Sequence, residues 1–129
     1  MNILKTINLL PNLFYLEGAS IDEIEEAEAC LGVSFAEEYK EYVLKYGIIT
    51  YDCHEITGLC NHKRLDVRNV TEYERQVNPD ISKDLYVVEQ LDIDGVVIWQ
   101  SSTGEIYRSV PGSEIEKVNN SLEEYLLTL

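Results

Sequence analysis

The stretch from residue 86 to residue 109 constrains the fold most, because three strand-forming runs are separated there by tight-turn dipeptides. Asp94-Gly95 and Thr103-Gly104 are the dipeptides, and such pairs favour two-residue hairpin turns. The middle run reads Val-Val-Ile-Trp at residues 96–99 without polar alternation, so we expect a central strand covered on both faces. The three runs that predict this antiparallel meander are residues 86–91, 96–100 and 105–109.

Two amphipathic helices are predicted on the N-terminal side of this meander. Each is announced by a serine followed three residues later by a glutamate, a capping-box pattern that satisfies free N–H groups at a helix start. Each is expected to end at a glycine. Tyrosines recur at helical spacing along the second helix, which predicts that they face the core. The capping pairs are Ser20 with Glu23 and Ser34 with Glu37, the glycines are Gly32 and Gly47, and the tyrosines are Tyr39, Tyr42 and Tyr46.

Weaker patterns fill the remainder of the chain. We expect short strands at residues 48–51 and 55–59, a helix at 66–77 and an edge strand at 115–118. A last helix should follow the capping pair Ser121 and Glu124 and carry Leu122, Tyr125, Leu126 and Leu129. The predicted class is therefore α+β: one domain over residues 1–129, with a mainly antiparallel central sheet of about five or six strands and helices at the N- and C-terminal ends.

The chain is strongly acidic, with 24 Asp and Glu against 10 Lys and Arg and a formal net charge of −14. Nucleic acid and anionic membranes are poor partners for such a surface, so we expect neither, and a basic protein partner is favoured. No apolar run approaches a membrane span and no secretory pattern opens the chain, which predicts a cytoplasmic protein. Three cysteines, an odd number, then indicate free thiols.

Exposed carboxylates are the candidate partner-binding residues. Like charges at i and i+4, as in Glu37 with Glu41, destabilise a helix by about 0.2–0.5 kcal/mol, which suggests that the acidity has a use. The alternative is that these carboxylates serve solubility alone. The candidates are Glu23, Glu26, Glu37 and Glu41 on the two helices and Asp92 and Asp94 at the meander's first turn.

Catalytic and metal-binding chemistry has little support in the sequence. Cys53, His54, Cys60 and His62 offer ligand types that zinc accepts, but the paired spacings of structural zinc sites are absent. Buried thiols and ordinary polar histidines are the better explanation. With only two histidines and no nucleophile motif, we predict no catalytic residue, no metal and no cofactor.

Several segments, in their order, resemble the SUKH superfamily, also called the SMI/KNR family. Residues 21–47, IDEIEEAEACLGVSFAEEYKEYVLKYG, resemble its N-terminal signature of an acidic helix, Leu-Gly and a second helix ending in glycine. EITGL at residues 55–59 and SLEEYL at 121–126 also match. Ala36 stands where the family often has proline, which leaves the fold assignment intact.

The resemblance implies a non-catalytic binding protein. Bacterial members of the family act mainly as immunity proteins that neutralise a toxin domain, often a nuclease, and fungal relatives are regulatory adaptors. By this resemblance we expect a cognate basic toxin as the partner, with a scaffold or adaptor role as the alternative. A homo-oligomer is left open by the sequence.

Overall fold

The computed structural model describes residues 2–128, and its elements alternate between helices and antiparallel strands. The predicted α+β class, with helices towards both ends of the chain, is confirmed. Leu129, which was expected on the last helix, lies outside the described residues. In chain order the elements are α1 (Ile3–Asn8), β1 (Phe14–Glu17), α2 (Ile21–Leu31), α3 (Glu37–Lys45), β2 (Tyr46–Tyr51), β3 (His54–Ile56), α4 (Val67–Val77), β4 (Tyr86–Leu91), β5 (Val96–Gln100), β6 (Ile106–Ser109), β7 (Glu116–Asn119) and α5 (Leu122–Leu127).

The strands form two antiparallel sheets, where the sequence predicts a single sheet of five or six strands. One sheet has the order β1-β2-β3 and the other β4-β5-β6-β7. The sheets meet at Thr57, directly after β3, whose backbone N–H donates to the Val88 carbonyl of β4 at 2.9 Å. The seven strands therefore lie side by side with one narrow junction, and that junction explains why the sequence pattern reads as a continuous sheet.

The predicted meander is confirmed strand by strand. β5 pairs with β4 on one edge and with β6 on the other, and Trp99 within it is fully buried. The turn between β4 and β5 places Asp94 and Gly95 at positive φ, 54° and 72°. Asp and Gly adopt this left-handed conformation readily, but the loop has four residues, 92–95, rather than the two expected, since Leu91 pairs with Val96.

The first predicted capping box is present, whereas the second is wrong. Ser20 Oγ accepts from the Glu23 N–H at 3.2 Å, and the Glu23 carboxylate accepts from the Ser20 N–H at 3.0 Å. α3 instead has Ala36 at its N-cap with no side-chain cap. Other contacts hold the segment before α3: the Phe35 ring packs into the core 4.8 Å from the Tyr86 ring, and the N–H groups of Phe35 and Ala36 donate to the Glu28 carboxylate and the Tyr86 hydroxyl.

Helix lengths and ends show a second difference from the sequence pattern. α3 ends at Lys45, and Gly47 lies within β2 rather than at a helix stop. The longest helices, α2 and α4, have 11 residues each. Within residues 2–128 no helix combines the length and the apolar character that a membrane crossing needs.

Two tyrosines of α3 form hydrogen bonds to the junction between the sheets. Tyr39 and Tyr42 are fully buried, as predicted, and the hydroxyls of both donate to the Thr57 carbonyl, at 3.2 and 2.9 Å. Burial raises the pKa of both phenols, so each stays a neutral donor. The Thr57 hydroxyl in turn donates to the Val87 carbonyl at 2.8 Å. One threonine thus joins a helix and both sheets.

The residue after Thr57 has to be a glycine. A Cβ atom at Gly58 would lie 1.8 Å from the Gly47 carbonyl oxygen, because the chain passes directly over β2 there. Leu59 N–H donates to the same Gly47 carbonyl at 2.8 Å, which holds the two segments in place. The Thr-Gly pair of the EITGL segment is therefore a packing requirement of this fold.

We predict that Gly58→Ala destabilises the protein by about 3 kcal/mol or more, since backbone on both sides leaves no room for the methyl group. Urea unfolding followed by circular dichroism measures this. Gly32→Ala is the matched control: Gly32 has a φ of 68° with open space around it, so only the conformational cost of about 1–2 kcal/mol applies. Equal losses in the two variants would contradict the close approach.

Candidate partner-binding surface

The two candidates on α2 are exposed, and each has a role inside the protein. Glu23 caps its own helix, so its carboxylate is partly engaged. Glu26 has a side chain 77% exposed and lies 3.7 Å from Arg68 of α4. The apolar residues of α2, Ile24 and Ala27, face the core, which leaves the glutamates directed towards solvent.

The two candidates on α3 are also exposed. Glu37 has a side chain 87% exposed and is 3.5 Å from Lys40. Lys40 also approaches Glu28 of α2 at 3.8 Å, so one lysine links the two acidic helices. Glu41 is exposed one turn after Glu37. We call Glu23, Glu26, Glu37 and Glu41 the helical patch.

Asp92 and Asp94 lie elsewhere, at the exposed tip of the β4–β5 hairpin. The other end of β5 is Gln100, whose side chain donates to Glu38 of α3 at 2.8 Å. β5 rises about 13 Å between its ends, so the hairpin tip and the start of α3 occupy opposite ends of the sheet. The six candidates therefore form two separate groups, and we call the second, Asp92 and Asp94, the hairpin patch.

Two of the five cations in residues 63–83 form close ion pairs with carboxylates. Arg64 binds Glu55 through two contacts of 2.7 Å, which lowers the pKa of that carboxyl group. Arg68 binds the buried Asp66 at 2.8 and 2.9 Å. Each of these two arginines thus has a carboxylate partner within the protein.

A half-buried carboxylate that the sequence did not single out holds the start of α5. Glu38 of α3 accepts from the backbone N–H groups of Leu122 at 2.7 Å and Glu123 at 3.2 Å, the first donors of α5. Desolvation by burial raises the pKa of Glu38, and these hydrogen bonds oppose the rise. Its neighbour Glu37 looks equivalent in sequence. Only the direction in which each side chain leaves the helix, relative to the core, distinguishes the two residues.

A second unpredicted carboxylate lies beneath the sheet junction. Glu89 of β4 is 2% exposed, and it accepts from the Tyr125 hydroxyl at 2.6 Å and contacts His54 Nδ1 at 3.0 Å. His54, predicted to be an ordinary polar histidine, thus has a specific partner. In the sequence Glu89 interrupts an apolar strand run, which is the one signal that could have marked it.

The cysteines are free thiols, but the expectation that they are buried is wrong. Cys30 and Cys53 are exposed, and Cys60 is half-buried. Cys60 Sγ contacts the His62 carbonyl, and burial raises the pKa of its thiol. Over residues 2–128, no three His, Cys, Asp or Glu side chains are grouped so that they could hold a metal ion.

A cleft of about 770 Å³ lies beside the hairpin patch. One wall is the chain at residues 77–81, where α4 ends, and the other is residues 109–115, between β6 and β7. A Cβ atom at Gly95, in the hairpin tip, would lie 2.9 Å from Pro111 of the second wall. Cleft and hairpin patch therefore occupy the same end of the four-stranded sheet.

Together these features define a small α+β domain that presents acidic helices on one side and an open cleft at one end of its sheet. The chain belongs to the family described as SMI1-KNR4 cell-wall (SUKH_5), which matches residues 2–129. The family resemblance is thereby confirmed. A crystal structure of a protein from Pseudomonas syringae pv. tomato has the same fold, with a TM-score of 0.76 at 14% identity over 98% of this chain and 95% of that one. No curated protein matches the chain.

We predict that Glu38→Ala lowers the free energy of unfolding by about 1–3 kcal/mol, because two N–H groups of α5 lose their half-buried acceptor. Glu37→Ala is the matched control, one position earlier in the same first turn and exposed. It should change stability by less than about 0.5 kcal/mol. Urea unfolding measures both variants, and similar losses would show that the Glu38 contacts contribute little.

The same variant predicts a pH dependence. The pKa of Glu38 is raised above its ordinary value of 4.5, so the folded state binds more protons at this site just above that pH. Wild type should therefore gain stability relative to Glu38→Ala as the pH falls from about 7 to about 5. Unfolding curves over this range check the sign, and a constant difference between the two proteins would contradict it.

Proposed function

We propose that this chain is a cytoplasmic immunity protein that binds and neutralises a cognate toxin domain, a nuclease, and that it catalyses no reaction. The observation that carries the proposal is the helical patch on a fold of the SMI1-KNR4 family. Its four carboxylates are exposed on consecutive helices, and the chain as a whole carries a formal charge of −14. The expected partner surface is therefore basic.

A nuclease domain offers such a surface because its substrate cleft has to attract phosphates. Carboxylates on rigid helices can occupy the positions that phosphates would take, and the charge of the whole chain accelerates the encounter. α2 and α3 are suited to this role, since their buried residues fix the orientation of the exposed ones. Ala27 and Tyr39, for example, are fully buried.

The engagement of the less exposed carboxylates supports binding over hydrolysis. The half-buried Glu38 and the buried Glu89, for example, both accept hydrogen bonds from groups of the protein itself. A general acid or base needs access to a substrate proton. Partner recognition needs only the exposed side chains, which in this chain are abundant and acidic.

A non-catalytic regulatory adaptor of the SMI/KNR type is the second candidate. The family description, SMI1-KNR4 cell-wall, favours it. Genomic context separates the two roles: a toxin gene directly beside this one supports immunity, and its absence supports an adaptor.

We predict that co-expression of this protein restores growth to cells producing the neighbouring gene's toxin. The purified pair should associate about tenfold or more slowly when the salt concentration is raised towards 1 M, because screening removes long-range attraction. Stopped-flow or biolayer measurements give the rate. No complex at low salt would end the immunity proposal.

Charge reversal tests the helical patch itself. Glu37→Lys with Glu41→Lys should raise the dissociation constant by about tenfold or more, since two attractive contacts become repulsive. The control is Glu17→Lys with Asp84→Lys, which makes the same change in net charge at exposed positions on other elements. Equal weakening in both variants would show that only the total charge matters and not the helical patch.

A further inference from the structure

The cleft beside the hairpin patch has the dimensions of a binding site. Its volume of about 770 Å³ lies within the range of about 300–1,000 Å³ that is usual for ligand pockets. Its position, where α4 ends and the loop between β6 and β7 passes, brings together two loops held by the four-stranded sheet. The helical patch does not contribute to it.

The cleft is built on a packed floor. Ile81 and Ile115, one from each wall, pack against a second hydrophobic cluster that includes Trp99. The Trp99 indole N–H donates at 2.9 Å to the hydroxyl of Ser109, which also lines the cleft. Asn78 closes the end of α4 through its amide group, which donates to the Glu74 carbonyl at 3.1 Å. The walls are thus fixed before any partner arrives.

Aliphatic side chains dominate the lining, and part of that surface is open to water. Val77, at the end of α4, is 57% exposed. Pro79, Val110 and Pro111 continue the same lining. Covering such a surface releases water from it, at about 25 cal/mol for each Å² of apolar area buried. The cleft therefore fits an apolar side chain.

The charged residues at the cleft determine which groups of an occupant can lie beside that apolar side chain. Asp80 and Glu114 line it, both are exposed, and within residues 2–128 neither forms an ion pair, while the cleft lining contains no lysine or arginine. The cations Arg75 and Lys83 line a separate, smaller hollow of about 270 Å³ that shares Pro79 and Ile81 with the cleft. The groups of an occupant that face Asp80 and Glu114 should therefore be positive.

We propose that this cleft binds a segment of a partner protein in which an aliphatic side chain is flanked by lysine or arginine. The aliphatic side chain would cover Val77, and the flanking cations would face Asp80 and Glu114. That the partner is the toxin rests on the proposed function, whereas the chemistry of the segment rests on the cleft alone. The cleft is then a second contact site, at the opposite end of the sheet from the start of α3.

Peptide titration of the isotope-labelled full chain tests this directly. The probe is acetyl-Lys-Lys-Leu-Lys-Lys-amide, with the same peptide carrying Gly for Leu as the apolar control and acetyl-Glu-Glu-Leu-Glu-Glu-amide as the charge control. The leucine peptide should shift the amide signals of residues 77–81 and 109–115 and bind about tenfold tighter than the glycine peptide. The acidic peptide should leave these signals unchanged.

Variants place the binding in the cleft. Asp80→Lys with Glu114→Lys should weaken the leucine peptide about tenfold or more, and Val77→Ser should remove its advantage over the glycine peptide. Glu17→Lys with Asp84→Lys, the equal-charge control, should leave the affinity within about twofold. All these positions are exposed, so the variants should fold. Equal binding of the two basic peptides, or shifts confined to α2 and α3, would overturn the proposal.

The outcome is separable from that of the immunity proposal. Peptide binding in the cleft without any toxin complex would refute immunity and leave the cleft assignment standing. A toxin complex whose affinity is unchanged by Asp80→Lys with Glu114→Lys and by Val77→Ser would refute the cleft as a toxin contact and leave immunity standing.

Discussion

The hydrogen bonds at Thr57 are the interaction on which the rest of this fold depends. The backbone of Thr57 joins the two sheets, its hydroxyl reaches Val87, and its carbonyl receives the hydroxyls of Tyr39 and Tyr42. Every one of these groups is buried, so an unpaired member would bear the full cost of desolvation. The position of α3, and with it half of the helical patch, follows from satisfying this one residue.

Much of the fold could be predicted because local signals and global packing agree along most of the chain. A few neighbouring residues are enough to predict three features: the first capping box, the Asp-Gly hairpin and the uninterrupted strand at residues 96–99. Ser34 with Glu37 is an equally clear capping-box pattern, but the cap that it predicts is wrong. Phe35 packs into the core against Tyr86, and α3 has no side-chain cap. α1 and β1 are not predicted, although Asn2 caps α1, because segments of six and four residues are too short to show a clear periodicity.

The candidate surface could be predicted only in its chemistry. Helical periodicity predicts that the carboxylates of α2 and α3 are exposed. Their distance from Asp92 and Asp94 depends on the direction of the strands in space, which cannot be read from composition. The same limit applies to Glu37 and Glu38, adjacent and identical in type, one in solvent and the other holding the start of α5. Cleft residues 77–81 and 109–115 are distant in sequence, so no local pattern marks them as one site.

The contacts of Glu38 with Leu122 and Glu123 join residues 84 and 85 positions apart, and Thr6 reaches Glu123 across 117 positions. The chain loses conformational entropy when it closes loops of this length, and it does so before the contacts stabilise the fold. Folding is slower as a result. This separation in sequence also means that α1 and α3 complete their surroundings only after α5 has left the ribosome. A growing chain that lacks α5 therefore leaves Thr6 and Glu38 without these partners, although the helices that carry them were made much earlier.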